Sequence, residues 1–207
     1  MGQSTLIWNL IAKRYSKTPI VNEEAYQKKL DLTRKYLNSE TSLFEFGCGT
    51  GSTAIAHAPY VKNILAIDIA HKMLDIGRSR SLEKGIENID FRQEAIEGFT
   101  YPERSFDMVL AMNILHIVGE RENVLLKVNR LLKNEGIFVS STVCMDKIGL
   151  NWKIFLRTMA FLKFLPPISF FSEEELVNGI KESGFEIEYK WRPSEKEAVL
   201  IIARKIS

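Results

Sequence analysis

Apolar residues recur along this chain in two rhythms. Short, nearly continuous apolar runs stand at residues 42–46 (SLFEF), 64–68 (ILAID), 88–91, 106–112 (FDMVLAM) and 136–143 (GIFVSSTV). Each is too short for a helix and reads as a strand. Between them lie segments with helical spacing. Asn22 followed by Glu23 and Glu24 has the form of a cap and an acidic first turn, and Tyr26, Leu30, Thr33 and Leu37 then recur on one face, which predicts a helix over 22–37. Further helices are predicted over 52–58, ending before Pro59; over 70–84, stopping at Gly85; and over 120–132. Strands that are apolar throughout must be covered on both faces. Their alternation with helices therefore predicts a doubly wound α/β fold around a mostly parallel sheet.

The last quarter of the chain departs from this alternation. Residues 150–165 (LNWKIFLRTMAFLKFL) predict an apolar helix stopped by Pro166 and Pro167. Ser172 and Glu175 have capping-box spacing and open another helix that closes at Gly184. Residues 185–191 and 198–204 read as two strands joined at Pro193-Ser194, a hairpin that closes the sheet.

Composition narrows the class without changing this picture. The chain has 207 residues, 45% of them hydrophobic and 26% charged, with a formal net charge of +2, which suits one packed domain over 1–207. Lys and Arg are scattered, with no concentrated stripe to follow a phosphate backbone, so nucleic acid is not the expected partner. Cys48 and Cys144 are far apart and form no disulfide framework or metal-ligand spacing; no metal site is expected. The first twenty residues lack a basic start followed by a long apolar run, and the expected location is cytoplasmic.

The most informative stretch is Glu45-Phe46-Gly47-Cys48-Gly49-Thr50-Gly51-Ser52, where a strand passes into a helix through three alternate glycines. Glycine allows a tight turn and close approach of a ligand to the main chain. A dinucleotide loop of the form G-x-G-x-x-G requires glycine where this chain has Ser52, and the Gly-Lys-Ser/Thr of a phosphate-binding P-loop is absent. The E-x-G-x-G-x-G pattern resembles motif I of class I S-adenosylmethionine-dependent methyltransferases, in particular the small-molecule group related to ubiquinone and menaquinone methylases. The resemblance runs from about Leu43 to Arg204. It implies a Rossmann-like, seven-stranded sheet with a C-terminal antiparallel hairpin and helices on both faces. It also implies S-adenosylmethionine as cofactor and S-adenosylhomocysteine as product.

Carried over residue by residue, the resemblance gives Glu45 the cofactor's amino group and sets Gly47, Cys48, Gly49 and Gly51 beside its methionine portion. Asp68, ending the second strand, would accept the ribose hydroxyls, and Ile69 would lie on the adenine. Glu94, Ala95 and Ile96 occupy the third landmark, where the family often has Gly-Asp-Ala, so Glu94 replaces the usual Asp. Asn113 follows the fourth strand where the sheet opens toward methionine and acceptor. In related enzymes the N-terminal segment, here 1–38, forms a helical lid.

The chemistry needs alignment above all, with a nucleophile about 3–3.5 Å from the methyl carbon and in line with the sulfur. Two residues are candidate catalytic groups. His116 is a titratable side chain near the mouth of the fourth strand and suits a general base. Tyr15 offers an aromatic face to a sulfonium. His57 and His71 read as helix-surface residues. Residues 145–171 are the candidate cap for substrate specificity. Their helix, with Lys153, Arg157 and Lys163 near one another, fits either a cap burying its apolar side or peripheral membrane contact through 148–165. The expected partner is a small, apolar methyl acceptor. The alternatives are a nicotinamide-dependent oxidoreductase, which Ser52 disfavours, and a non-catalytic cofactor-binding subunit. Oligomeric state is not readable.

Overall fold

A computed structural model describes residues 3–146, 148–161 and 168–206. Seven strands form one sheet: β1 (Ser42–Phe46), β2 (Asn63–Asp68), β3 (Ile89–Gln93), β4 (Phe106–Met112), β5 (Leu132–Thr142), β6 (Phe185–Trp191) and β7 (Val199–Lys205). Their order is β3-β2-β1-β4-β5-β7-β6. The first five run parallel, and β7 pairs antiparallel with both β5 and β6. The helices are α1 (Gln3–Tyr15), α2 (Glu23–Arg34), α3 (Ser52–His57), α4 (His71–Glu83), α5 (Arg121–Leu131), α6 (Leu150–Phe161) and α7 (Glu173–Glu182). This is the doubly wound architecture expected.

The strand pattern explains why the sheet needs two coverings. Phe44, Phe46, Val109, Ala111 and Phe138 face one way, into a core completed by Leu125 and Val128 of α5 and Leu176 and Ile180 of α7. Leu43, Met108, Leu110 and Val139 face the other way, toward Ala54 of α3 and Leu74 of α4. Neighbours along one strand thus serve opposite cores, the period of two that a pleat imposes. Phe44 anchors the first core, stacked on Phe99 at 4.7 Å and Phe106 at 5.1 Å.

Local chemistry sets several boundaries. The Asn22 side chain accepts from the Ala25 N–H at the start of α2, and the Ser172/Glu175 capping box opens α7. Gly184 ends that helix with φ +84°. Two expectations need correction. β5 begins at Leu132 rather than 136, because the chain turns into the sheet directly at the end of α5, and Leu132 already pairs with Phe106 before the register shifts. His57 is not a surface residue: it is 1% exposed, in a short α3 whose Thr53, Ala54 and Ile55 are buried with it. Burial, followed by the charge of Arg34, lowers its imidazole to about 4.

Pro166, Pro167 and Lys163, and with them the end of the 150–165 helix, lie outside the described residues. Among the described residues, no helix is long and apolar enough to cross a membrane.

Candidate cofactor site

The strand order reverses between β1 and β4, and there the carboxyl ends of the strands diverge into a crevice, the usual ligand position in open α/β sheets. A cavity of about 390 Å³ occupies it.

Its floor is the glycine loop. Gly47, Gly49 and Gly51 have φ of +62°, +53° and +70°, a left-handed zigzag in which other residues are strained. The three are required for different reasons. A Cβ on Gly47 would stand 2.5 Å from Cγ1 of Ile114, and one on Gly51 would stand 2.8 Å from the Phe91 ring. A Cβ on Gly49 would meet no protein atom within 4 Å. Gly49 lines the cavity, so its bare main chain faces open space rather than a neighbour.

Asp68, ending β2, stands against this loop. Its carboxylate accepts the N–H of Gly49 and the N–H of Ala70, each at 2.8 Å. Burial pushes the carboxyl above its ordinary value, opposed by N–H groups of Ala70, Gly49 and Ile69. Ile69 lines the cavity beside it, and Glu94, Ala95 and Ile96 form the next wall. That wall is fastened twice. Glu94 donates its N–H to the Asp68 carbonyl at 3.1 Å, and Lys127 of α5 donates to the carbonyls of Ile96, Glu97 and Phe99 at 2.8, 2.6 and 3.0 Å. Asn113, at φ +56°, donates its N–H to the Ser141 carbonyl and begins the opposite wall with Ile114, Ile117 and Val118.

Helix α1 roofs the cavity with Ser4, Thr5, Trp8 and Tyr15. Trp8 and Tyr15 meet edge to face at 6.1 Å. Burial, and then the charge of Asp68, raises the Tyr15 phenol above its ordinary value.

Four residues expected in the site do not line this cavity: Glu45, Cys48, Gly51 and His116. Glu45 lies on the face of β1 opposite Phe46, 2% exposed, where it accepts the Ala54 N–H at the start of α3. Its Oε2 has no hydrogen-bond partner, and burial raises its carboxyl to about 8. Cys48 is buried under the loop, its N–H tied to the Ile67 carbonyl. His116 belongs to the Ile114–Ile117 segment but does not line the cavity. Its carbonyl accepts from Ser169, its Nδ1 is buried without a partner, and burial lowers the imidazole. Among the described residues, no group of three or more His, Cys, Asp or Glu could hold a metal ion.

Residues 44–140, the stretch holding the loop, Asp68 and Asn113, match the family described as a methyltransferase domain. Over this stretch, just under half of its length, the chain is similar to methyltransferase domains. It is 32% identical over 101 residues to the uncharacterized methyltransferase YcgJ of Bacillus subtilis, covering 49% of this chain and 40% of that one. It is 26% identical over 170 residues to a ubiquinone biosynthesis O-methyltransferase of a Ruegeria species, covering 75% and 68%. The chain spans about half the length of most of the first curated relatives it matches. The solved N-methyltransferase NodS of Bradyrhizobium japonicum, in complex with S-adenosylhomocysteine, superposes over 100% of both chains with a TM-score of 0.74 at 15% identity, a likeness of fold.

Two contributors to the site carry no signal in the sequence. Lys127 and Arg80 read as ordinary basic residues on solvated helix faces, yet one fastens the Ile96–Phe99 wall and the other reaches the glycine loop.

Proposed function

We propose that this chain is a methyltransferase that binds S-adenosylmethionine in the crevice between β1 and β4 and moves its methyl group to a small, largely apolar acceptor, leaving S-adenosylhomocysteine. The observation that carries this reading is the juxtaposition of Gly49, whose main chain faces open cavity, with the Asp68 carboxylate on the next strand. A carboxylate offers about four acceptor positions. Backbone N–H groups of Gly49, Ala70 and Ile69 lie on it, which leaves capacity for a ribose hydroxyl.

The residues fit the cofactor in charge as well as shape. Asp68, Glu94 and Glu97 line the cavity, while no Lys, Arg or His among the described residues does. That lining suits a ligand carrying both an ammonium and a sulfonium. Gly47 and Gly49 would lie along the methionine portion, Ile69 against the adenine, and Glu94 with the Ala95 and Ile96 main chain at its edge. Tyr15 and Trp8 would close over the sulfonium. Glu45, Cys48 and Gly51 act behind the loop, holding its shape.

The bound cofactor supplies an activated methyl on a good leaving group. What the protein contributes is alignment and the exclusion of water. Ile114, Ile117, Val118 and Met112 present an apolar wall to the acceptor. No imidazole lines the cavity, so the proposal rests on orientation by this wall and assigns His116 a supporting place in its segment. The names of the quinone-biosynthesis relatives support a small-molecule acceptor.

The test is transfer of labelled methyl groups into fractionated cell extract. Label is expected in a small-molecule or lipid-soluble fraction; label in RNA alone would displace the reading.

A second reading concerns α6. No described residue of it lines the cavity, and Leu150, Trp152, Ile154 and Phe155 are 71%, 62%, 55% and 49% exposed. Lys153 and Arg157 are the charged residues of its sequence. This supports peripheral contact with a lipid surface over a cap. Trp152→Ala should reduce co-sedimentation with anionic vesicles; equal binding would favour the cap.

A further inference from the structure

Among the described residues, the Arg80 side chain hydrogen-bonds both to the glycine loop that floors the cavity and to the end of the helix that roofs it. Arg80 is half-buried in the last turn of α4 and does not line the cavity. One arm of its guanidinium, Nη1, donates to the Thr50 hydroxyl at 3.0 Å and to the Ser52 hydroxyl at 3.5 Å. The other arm, Nη2, donates to the Ser16 carbonyl at 2.6 Å. Thr50 stands between Gly49 and Gly51 and is 4% exposed, and Ser16 is the residue just after α1. One rigid fork thus spans the glycine loop and the end of the roof helix, a geometry that a lysine ammonium cannot reproduce with both contacts at once.

The rest of α1 is held lightly. Ala12 packs with Ala70 and Met73, and Trp8 and Ile11 lean on the same cluster. Asn9 supplies a cap that α4 lacks in its own sequence, accepting the Lys72 N–H at 2.9 Å where the N-cap residue is Ala70. Leu6 and Leu10 remain 59% and 84% exposed. A helix that buries one narrow stripe opens locally at low cost. Its carboxyl end carries the partial negative charge of the helix, where a guanidinium binds well.

The geometry points to Arg80 as the clasp that couples the roof to the glycine loop, a positioning residue for retention of the cofactor. When the loop is ordered around a ligand, Thr50 is fixed, and through Arg80 so is the end of α1. This rests on the reading of the cavity as the cofactor site, but it makes a claim about α1 that needs no ligand.

The experiment compares wild type with Arg80→Ala, Arg80→Lys and Thr50→Val by hydrogen exchange and by stopped-flow release of S-adenosylhomocysteine. In the free protein, amides of residues 4–15 should exchange about tenfold faster in Arg80→Ala, with Arg80→Lys intermediate and β1–β5 unchanged. Ligand release should quicken by a similar factor. Adding Thr50→Val to Arg80→Ala should produce no further change in α1 exchange, because the coupling is already cut. Unchanged α1 exchange in Arg80→Ala overturns the clasp. So does fully additive behaviour of the two substitutions. If no variant, wild type included, binds S-adenosylhomocysteine, the cofactor reading fails while the exchange data still decide the clasp.

Discussion

The two sides of the cavity are held in place by different means. On the β1–β2 side the site is main chain: glycines in left-handed conformations, a carboxylate pinned by the N–H groups of Gly49 and Ala70, and strands paired in register from Ser42↔Asn63 to Phe46↔Ile67. On the β4–β5 side it is side chain, an apolar wall of Ile114, Ile117 and Val118. Backbone geometry admits few residues at each position. A packed wall admits many of similar volume. The first side is therefore suited to one invariant ligand, and the second can vary with the acceptor.

The largest effect should come from the side built on main chain. Asp68→Asn keeps one oxygen for the backbone but offers a donor where a ribose hydroxyl must donate. Cofactor affinity should fall about 30- to 150-fold, roughly 2–3 kcal/mol, by calorimetry. Next come the glycines, which separate stability from binding. Gly47→Ala drives a methyl into Ile114 on top of a left-handed φ and should cost roughly 2–4 kcal/mol of stability in denaturant unfolding. Gly49→Ala meets no protein atom, so its stability loss should be only about 1–2 kcal/mol, while its loss of cofactor affinity should be proportionately larger. Equal patterns for the two would erase the distinction between a glycine shaped by packing and one shaped by a ligand.

The pH dependence of stability tests the groups behind the loop. Glu45 is raised from 4.5 to about 8, so the folded state holds a proton that the unfolded chain releases, and its contribution is present below pH 4.5 and lost as pH rises to 8. His57 is lowered from 6.5 to about 4, so its contribution is present above pH 6.5 and lost as pH falls to 4. Glu45→Gln should flatten the decline toward pH 8, and His57→Gln the decline toward pH 4, in melting temperatures followed across that range. The smallest effect belongs to the second side: His116→Gln should change kcat by less than about threefold, since the imidazole does not line the cavity. A fall of a hundredfold or more, with a pH–rate profile losing its acidic limb, would restore it as the base.

How much of this was legible in the sequence follows the same division. Gly47, Gly49 and Gly51 announced the loop because a left-handed backbone leaves few alternatives, and Ser172 with Glu175 announced a helix start because capping chemistry is local. Asp68 was legible from its place at the end of an apolar run. The facing of Glu45 was not, since period-two alternation sets it opposite Phe44 and Phe46 without saying which face meets the ligand. His57 belongs to a helix too short to show a periodic face. Arg80 and Lys127 act across 28 to 64 residues of sequence, and nothing local distinguishes them from solvated lysines and arginines. The hydrophobic pattern of 150–165 gave the helix that is described over Leu150–Phe161 but not its exposure, because amphipathicity does not name what the apolar side covers.

One titration bears most directly on the whole account: calorimetry of the purified chain, wild type and Asp68→Asn, with S-adenosylmethionine, S-adenosylhomocysteine and NAD in turn. The wild type should bind both adenosyl amino acids and ignore the dinucleotide, and the substitution should weaken both. A preference for NAD, or an affinity for S-adenosylmethionine indifferent to Asp68, would contradict it.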